Sequence, residues 1–219
     1  MFKKNNNRNT YIKYPRTPHI HFSPGISNDD QIIQNLENLQ NTEIVITEKM
    51  DGENITLYND FFHARSINSN NHHSRDWLAR FHSLYISHNI PDNWRICGEY
   101  LYAKHSIFYE NLKSYFLGFS VWNEKNICIS WDETMNWFKH LNIHSVPVLY
   151  RGKFNLKLIK EIEKNLDYEK SEGFVIRNAN SFHYADFGIN VCKYVRKNHI
   201  KTEKNWIYQK IIKNKLSRI

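Results

Sequence analysis

Glu43-Ile44-Val45-Ile46-Thr47-Glu48-Lys49-Met50-Asp51-Gly52-Glu53-Asn54 opens on a β-branched, apolar run and closes on an Asp-Gly pair, so it reads as a strand giving way to a turn. Lys49 falls at that junction, where a lysine can reach into a cleft from a rigid base. Beyond it, Asn54-Ile55-Thr56-Leu57-Tyr58 alternates as a second strand, Asn59-Asp60 turns, and Phe61 to Arg65 is extended again, a hairpin with Arg65 at its far end. Lys-x-Asp-Gly taken alone reads more often as a solvated surface lysine, because short motifs match by chance. Its weight depends on what the rest of the chain supplies.

Working outward, Ile32, Ile33, Leu36 and Leu39 share one face of a predicted helix over 29–40. A second helix is predicted over 74–87, with Ser74 as its N-cap. Strands follow over 94–103 and 115–122, helices over 132–141 and 155–166, and strands again over 173–177 and 188–196. Residues 201–216 read as a charged helix, with Trp206 and Ile207 available for docking. With no repeat and no long linker, the expected class is α+β, with mainly antiparallel sheets, flanking helices and a cleft between the sheets. The expected organisation is a mobile basic tail over 1–10, one domain over 11–200 and a terminal helix over 201–219, without a separate C-terminal domain.

At 219 residues the chain suits one well-buried domain. A net charge of +8, with 13 Tyr, 13 Phe and 6 Trp, favours a polyanionic partner whose bases can stack on rings. Cys97, Cys128 and Cys192 are odd in number and far apart, which argues against a disulfide framework or a cysteine zinc site and fits a reducing compartment. No apolar stretch approaches the ~20 residues of a membrane span, and residues 1–7 lack a signal-peptide core, so a soluble cytoplasmic protein is expected. His72, His73 and the other histidines show no metal-ligand spacing, and no P-loop is present.

Five further segments align with Lys49: Ala64-Arg65-Ser66, Gly98-Glu99-Tyr100, Phe116-Leu117-Gly118-Phe119, Ser171-Glu172-Gly173-Phe174-Val175-Ile176-Arg177, and Cys192-Lys193-Tyr194-Val195-Arg196. Together they resemble the covalent nucleotidyltransferases, the superfamily of ATP-dependent RNA and DNA ligases and messenger-RNA capping enzymes. Glu172 to Arg177, and Lys193 to Arg196 with Asn198-His199 after it, look most like the RNA ligase 2-like branch. Lys13-Tyr14-Pro15-Arg16-Thr17-Pro18-His19 is similar to small RNA ligase domain proteins. The resemblance spans residues 11 to 206, and its specificity lies in the ordered set.

It implies that Lys49 attacks the α-phosphate of ATP to give lysyl-AMP. That requires a neutral amine, and lowering a lysine pKa by about three units corresponds to ~4 kcal/mol. Burial, a nearby cation or a bound metal can each act in that direction. By the same resemblance Glu172 helps hold Mg²⁺ or Mn²⁺, Glu99 contacts the AMP ribose, and Arg65 and Lys193 meet phosphate. Arg177, Arg196 and Lys197 are further phosphate candidates. Relatives often carry K-x-K where this chain reads Val191-Cys192-Lys193, so a second lysine is not assigned. Phe119 matches an adenine-stacking aromatic, although its strand would equally serve as core. Glu48, Asp51 and Asn54 flank the nucleophile as ATP-binding candidates, Asp51 also reading as a turn former. Gly98 and Gly173 would let backbone approach a ligand.

The implied activity is that of an ATP-dependent RNA ligase, joining an RNA 5′-phosphate to a 3′-hydroxyl. Three alternatives stay open: a DNA ligase, a capping-type guanylyltransferase, and a non-catalytic nucleic-acid-binding module. A monomer is expected, with a partner protein as one source of a missing C-terminal function.

Overall fold

The computed structural model describes residues 11–67, 72–197 and 211–217. The basic tail and the first half of the terminal helix, with Trp206 and Ile207, lie outside these residues, as do Asn198 and His199. The strands are β1 (Glu43–Glu48), β2 (Glu53–Leu57), β3 (Phe62–Ala64), β4 (Arg95–Tyr100), β5 (Phe116–Trp122), β6 (Ile127–Cys128), β7 (His144–Ser145), β8 (Val148–Lys153), β9 (Gly173–Asn178), β10 (Phe182–His183) and β11 (Val191–Val195). The helices are α1 (Glu37–Gln40), α2 (Asp76–Tyr85), α3 (Trp131–His140), α4 (Leu156–Asn165) and α5 (Phe187–Asn190).

The strands form two sheets, one of four in the order β11-β9-β1-β8 and one of seven in the order β10-β6-β5-β4-β2-β3, with β7 parallel to β5. All other pairings are antiparallel. β1 is interior and buried on both faces, which is why its apolar run is continuous rather than alternating. Ile44 and Ile46 pack with Ile159 of α4 and Phe174, while Val45 turns the other way onto Trp131 and Ala179. In the larger sheet, Leu78 and Phe81 of α2 cover Ile55, Ile96 and Phe116. Helix α3 starts on a capping box, Ser130 with Glu133, and seats Phe138 over Gly118.

Arg177 staples the sheets together. From β9 its guanidinium donates to the carbonyls of Phe119 (3.3 Å) and Ile129 (3.1 Å), and its Nε to that of Asn178 (3.1 Å). It is therefore a buried cation whose guanidinium is committed to three carbonyls.

Three local expectations are corrected. Of the helix over 29–40 only Glu37–Gln40 is helical. Asp29 and Asp30 accept from Ser27, and Ile33 donates its amide to the His19 carbonyl, so local side-chain bonds and a strand-like bridge outcompete the helix. Ser74 lies in a 3₁₀ turn capped by His72, and α2 begins only at Asp76. Residues 211–217 are extended rather than helical: Lys213 bridges Ala103 and Leu216 bridges Leu112. Pairing with loop 101–112 satisfies their backbone in place of helical bonds.

Candidate active site

Lys49 is the first residue past β1, and its amide donates to the Gly173 carbonyl at 2.9 Å, so the strand ladder fixes it beside the start of β9. Glu172, the residue before β9, receives the Lys49 Nζ at 2.5 Å. On β11, Lys193 stands opposite Val175 in register. Three adjacent strands of one sheet thus bring the lysine, its carboxylate and a second cation together. The other sheet supplies Glu99 on β4, directly across from Asn54 on β2; Glu99 accepts the Gly52 amide at 3.2 Å. Arg65 follows β3 with its backbone tied to Asn54, and among the described residues its exposed side chain makes no hydrogen bond or ion pair.

Between the sheets lies a cavity of about 830 Å³. Part of its lining is aromatic, with Phe119, Trp122, Trp131, Phe182 and Phe187. Part is polar, with Arg65, Ser66, His72 and the Glu53–Arg75 ion pair. Glu48, Lys49, Asn54, Glu99 and Lys193 also line it.

The electrostatics depart from the expectation of a depressed lysine pKa. Burial pulls Lys49 down, but Glu172, Glu99 and Asp51 outweigh it and hold the amine above its ordinary value. At rest Lys49 is an ammonium. Burial, aided by the charges of Glu172 and Asp51, pushes the Glu99 carboxyl up to about 8 against the pull of Lys49 and the Gly52 amide. Lys193 is lowered by burial and by Lys49 and Arg65, against Asp30 and Glu172. Burial likewise raises Glu48, with Ser171 opposing.

Among the described residues no group of three or more His, Cys, Asp or Glu side chains is arranged to hold a metal alone. Yet Glu172 and Glu99 face a single ammonium, and the buried Oδ1 of Asn54 has no hydrogen-bond partner. That oxygen set fits a hard cation completed by substrate phosphates, the usual habit of Mg²⁺.

The sequence profile of the RNA ligase family matches residues 42–195, the span that carries every residue above except the N-terminal segment. The chain belongs to the RNA ligase family. No curated protein sequence matches it. A variant of Naegleria gruberi RNA ligase solved with ATP and Mn superposes with a TM-score of 0.54 at 20% identity, covering 85% of this chain and 60% of that one. An archaeal ATP-dependent RNA ligase gives 0.54 at 13% identity, with 84% and 48% covered. At these identities the likeness shows the fold, that of a ligase nucleotidyltransferase domain, and the chain spans about 60% of the Naegleria enzyme's length.

In this RNA ligase domain Lys49, Arg65, Glu99, Phe119 and Lys193 line the cavity, and Glu172, which is not among the lining residues, reaches it through its bond to Lys49, while several other sequence expectations change. Asp51 is buried and does not line the cavity; its Oδ2 accepts from Ser106 N (2.7 Å), Ser106 Oγ (2.6 Å) and Ile107 N (2.9 Å). It anchors a loop instead of facing ATP. Gly98 and Gly173 make room for protein, not ligand: a Cβ at Gly98 would meet the Phe116 ring at 2.4 Å, and one at Gly173 the Tyr194 carbonyl oxygen at 2.0 Å. Val191 shares its strand face with Lys193 and lines the cavity, so the position of a second lysine is apolar. Arg196 and Lys197 are not among the lining residues.

Sequence reasoning missed Tyr14, Pro15 and Thr17, which line the cavity, Tyr14 packing edge-on to Phe119 at 5.1 Å. The likeness of segment 13–19 to RNA ligase domain proteins was the available signal. Nothing in the sequence announced the Glu53–Arg75 pair. No described helix is long and apolar enough to cross a membrane.

Proposed function

We propose that the protein is an ATP-dependent RNA ligase that works through a lysyl-AMP intermediate. The observation that carries this is the Lys49–Glu172 pair at 2.5 Å, with Lys49 on the lining of a cavity that is part aromatic and part polar. Adenine suits the aromatic part, where stacking on Phe119 is worth ~1–3 kcal/mol. The phosphates then pass Lys49 and Lys193 toward Arg65.

Lys49 Nζ attacks the α-phosphorus; the N–P bond forms, the bond to the bridging oxygen of the β-phosphate breaks, and pyrophosphate leaves. Before that, Nζ must separate from Glu172 and lose its proton, because the ammonium is no nucleophile. Glu172, with Glu99 and Asn54, would hold Mg²⁺ or Mn²⁺, which supplies charge neutralisation at the phosphates. Engagement of Glu172 by a cation removes the strongest support for the protonated amine. Lys193, already lowered by burial, stands ready to hold the α-phosphate. Transfer of AMP to an RNA 5′-phosphate, and attack on that adenylate by a 3′-hydroxyl with release of AMP, complete the joining. A net charge of +8 suits RNA as partner, with affinity falling steeply with salt.

The test is to incubate the protein with Mg²⁺ and α-labelled ATP and then denature it. Wild type should retain label and Lys49→Ala should lose it by at least about 10³-fold. Equal label in the two proteins overturns the reading. Competition with GTP separates the capping alternative, nicked DNA against nicked RNA the DNA ligase, and passage of label to 5′-phosphorylated RNA the non-catalytic module.

A further inference from the structure

Residues 211–217 lie more than 150 positions from Lys49 in sequence, yet they are tied to its turn through one intervening loop. Asn214 is 1% exposed and every polar atom it carries is used. Its Oδ1 accepts the Tyr109 amide at 3.0 Å, its Nδ2 donates to the Leu101 carbonyl at 2.8 Å, its own amide donates to the Tyr102 carbonyl at 3.0 Å, and its carbonyl accepts the Tyr115 hydroxyl at 3.1 Å. Lys215 donates its amide to the Tyr109 carbonyl at 2.9 Å, so Tyr109 is gripped on both sides of its backbone.

The gripped residue reaches the nucleophile's turn. The Tyr109 hydroxyl accepts the Asp51 amide at 2.9 Å, and the same loop supplies the Ser106 and Ile107 donors to the Asp51 carboxylate. Asp51 is two residues beyond Lys49. Neither Tyr109 nor Asn214 lines the cavity, so neither can act by touching substrate. A buried amide network of this completeness fixes geometry, because every group in it loses a partner if one member moves.

We propose that Asn214 and Tyr109 are positioning residues for nucleotidyl transfer: the 211–217 strap holds loop 101–112, and the loop holds the Lys49–Gly52 turn at the distance that attack requires. The strap's effect on rate rests on the ligase reading above. Its effect on the turn does not. A displacement near 1 Å at a reacting group can cost about 10²-fold in rate, so release of one bond in this chain should be visible in turnover.

The experiment uses the full-length chain as wild type, Tyr109→Phe and Asn214→Ala, read by amide hydrogen exchange without nucleotide and by label uptake from α-labelled ATP with Mg²⁺. Tyr109→Phe removes only the hydroxyl, and remains informative if Asn214→Ala does not fold. In Tyr109→Phe the Asp51 amide should exchange about tenfold faster. Label uptake should slow about tenfold at saturating ATP, with the KM for ATP within about twofold of wild type. Unchanged exchange over 49–52, a defect confined to KM, or faster exchange with an unchanged maximal rate would each overturn the proposal. A wild type that takes up no label removes the lysyl-AMP reading, and the exchange comparison alone then decides whether the strap holds the turn.

Discussion

The two sheets contribute to one site by different means. In the four-stranded sheet Lys49 and Glu172 flank the ends of β1 and β9 and Lys193 lies on neighbouring β11, so backbone hydrogen bonds contribute most of their spacing. In the seven-stranded sheet Arg65, Glu99 and Phe119 come from strand ends and faces whose approach depends on side chains and loops. An arrangement set mainly by backbone hydrogen bonds is the more rigid kind, and one set by side chains and loops the more adjustable. Chemistry at phosphorus needs the rigid part, and recognition of base and substrate can use the adjustable one.

The hardest blow to the rigid sheet should be Gly173→Ala. Gly173 has φ of +150° and a Cβ there would lie 2.0 Å from the Tyr194 carbonyl oxygen, so β9 and β11 must part and Glu172 moves with them. A stability loss of about 3 kcal/mol or more is expected in denaturant unfolding, together with loss of label uptake. On the adjustable side, Phe119→Ala should raise the KM for ATP about tenfold while leaving the maximal rate of uptake close to wild type. A large fall in melting temperature with an unchanged KM would return Phe119 to the core.

The smallest effect concerns Glu99. The folded protein keeps its proton up to about 8, whereas an ordinary glutamate releases it near 4.5. Between those values the native state binds more protons than the unfolded one, so this group's contribution to stability falls as pH rises through the window. Glu99→Gln lacks that slope. Its melting temperature relative to wild type should climb by several °C from pH 5 to pH 8, and a flat difference would contradict the raised carboxyl.

The same contrast explains what could be read from the sequence. The Lys49 strand, the hairpin ending at Arg65 and the strands bearing Glu99, Phe119, Glu172 and Lys193 were legible because alternation and β-branching mark strands, and the ordered motifs mark their ends. β8 was not, since Pro147 interrupts its approach although its carbonyl accepts the Glu48 amide. The role of Asp51 was hidden because its partners, Ser106 and Ile107, belong to a loop without a periodic pattern. The charged run ending at Leu216 carries a helical pattern, and only the tertiary contacts of Asn214 reveal why residues 211–217 stay extended.

Arg177 has a thermodynamic consequence of its own. Because one guanidinium bridges a β9 strand to carbonyls of Phe119 and Ile129, neither sheet can melt without orphaning donors or acceptors buried in the other. The apolar cluster that joins Cys97, Trp122, Cys128, Phe182 and Phe187 to Val191 of β11 ties the sheets as well. With both links in place, heat or denaturant should take the domain apart in one cooperative transition, so the cleft persists intact up to the temperature at which the whole domain is lost.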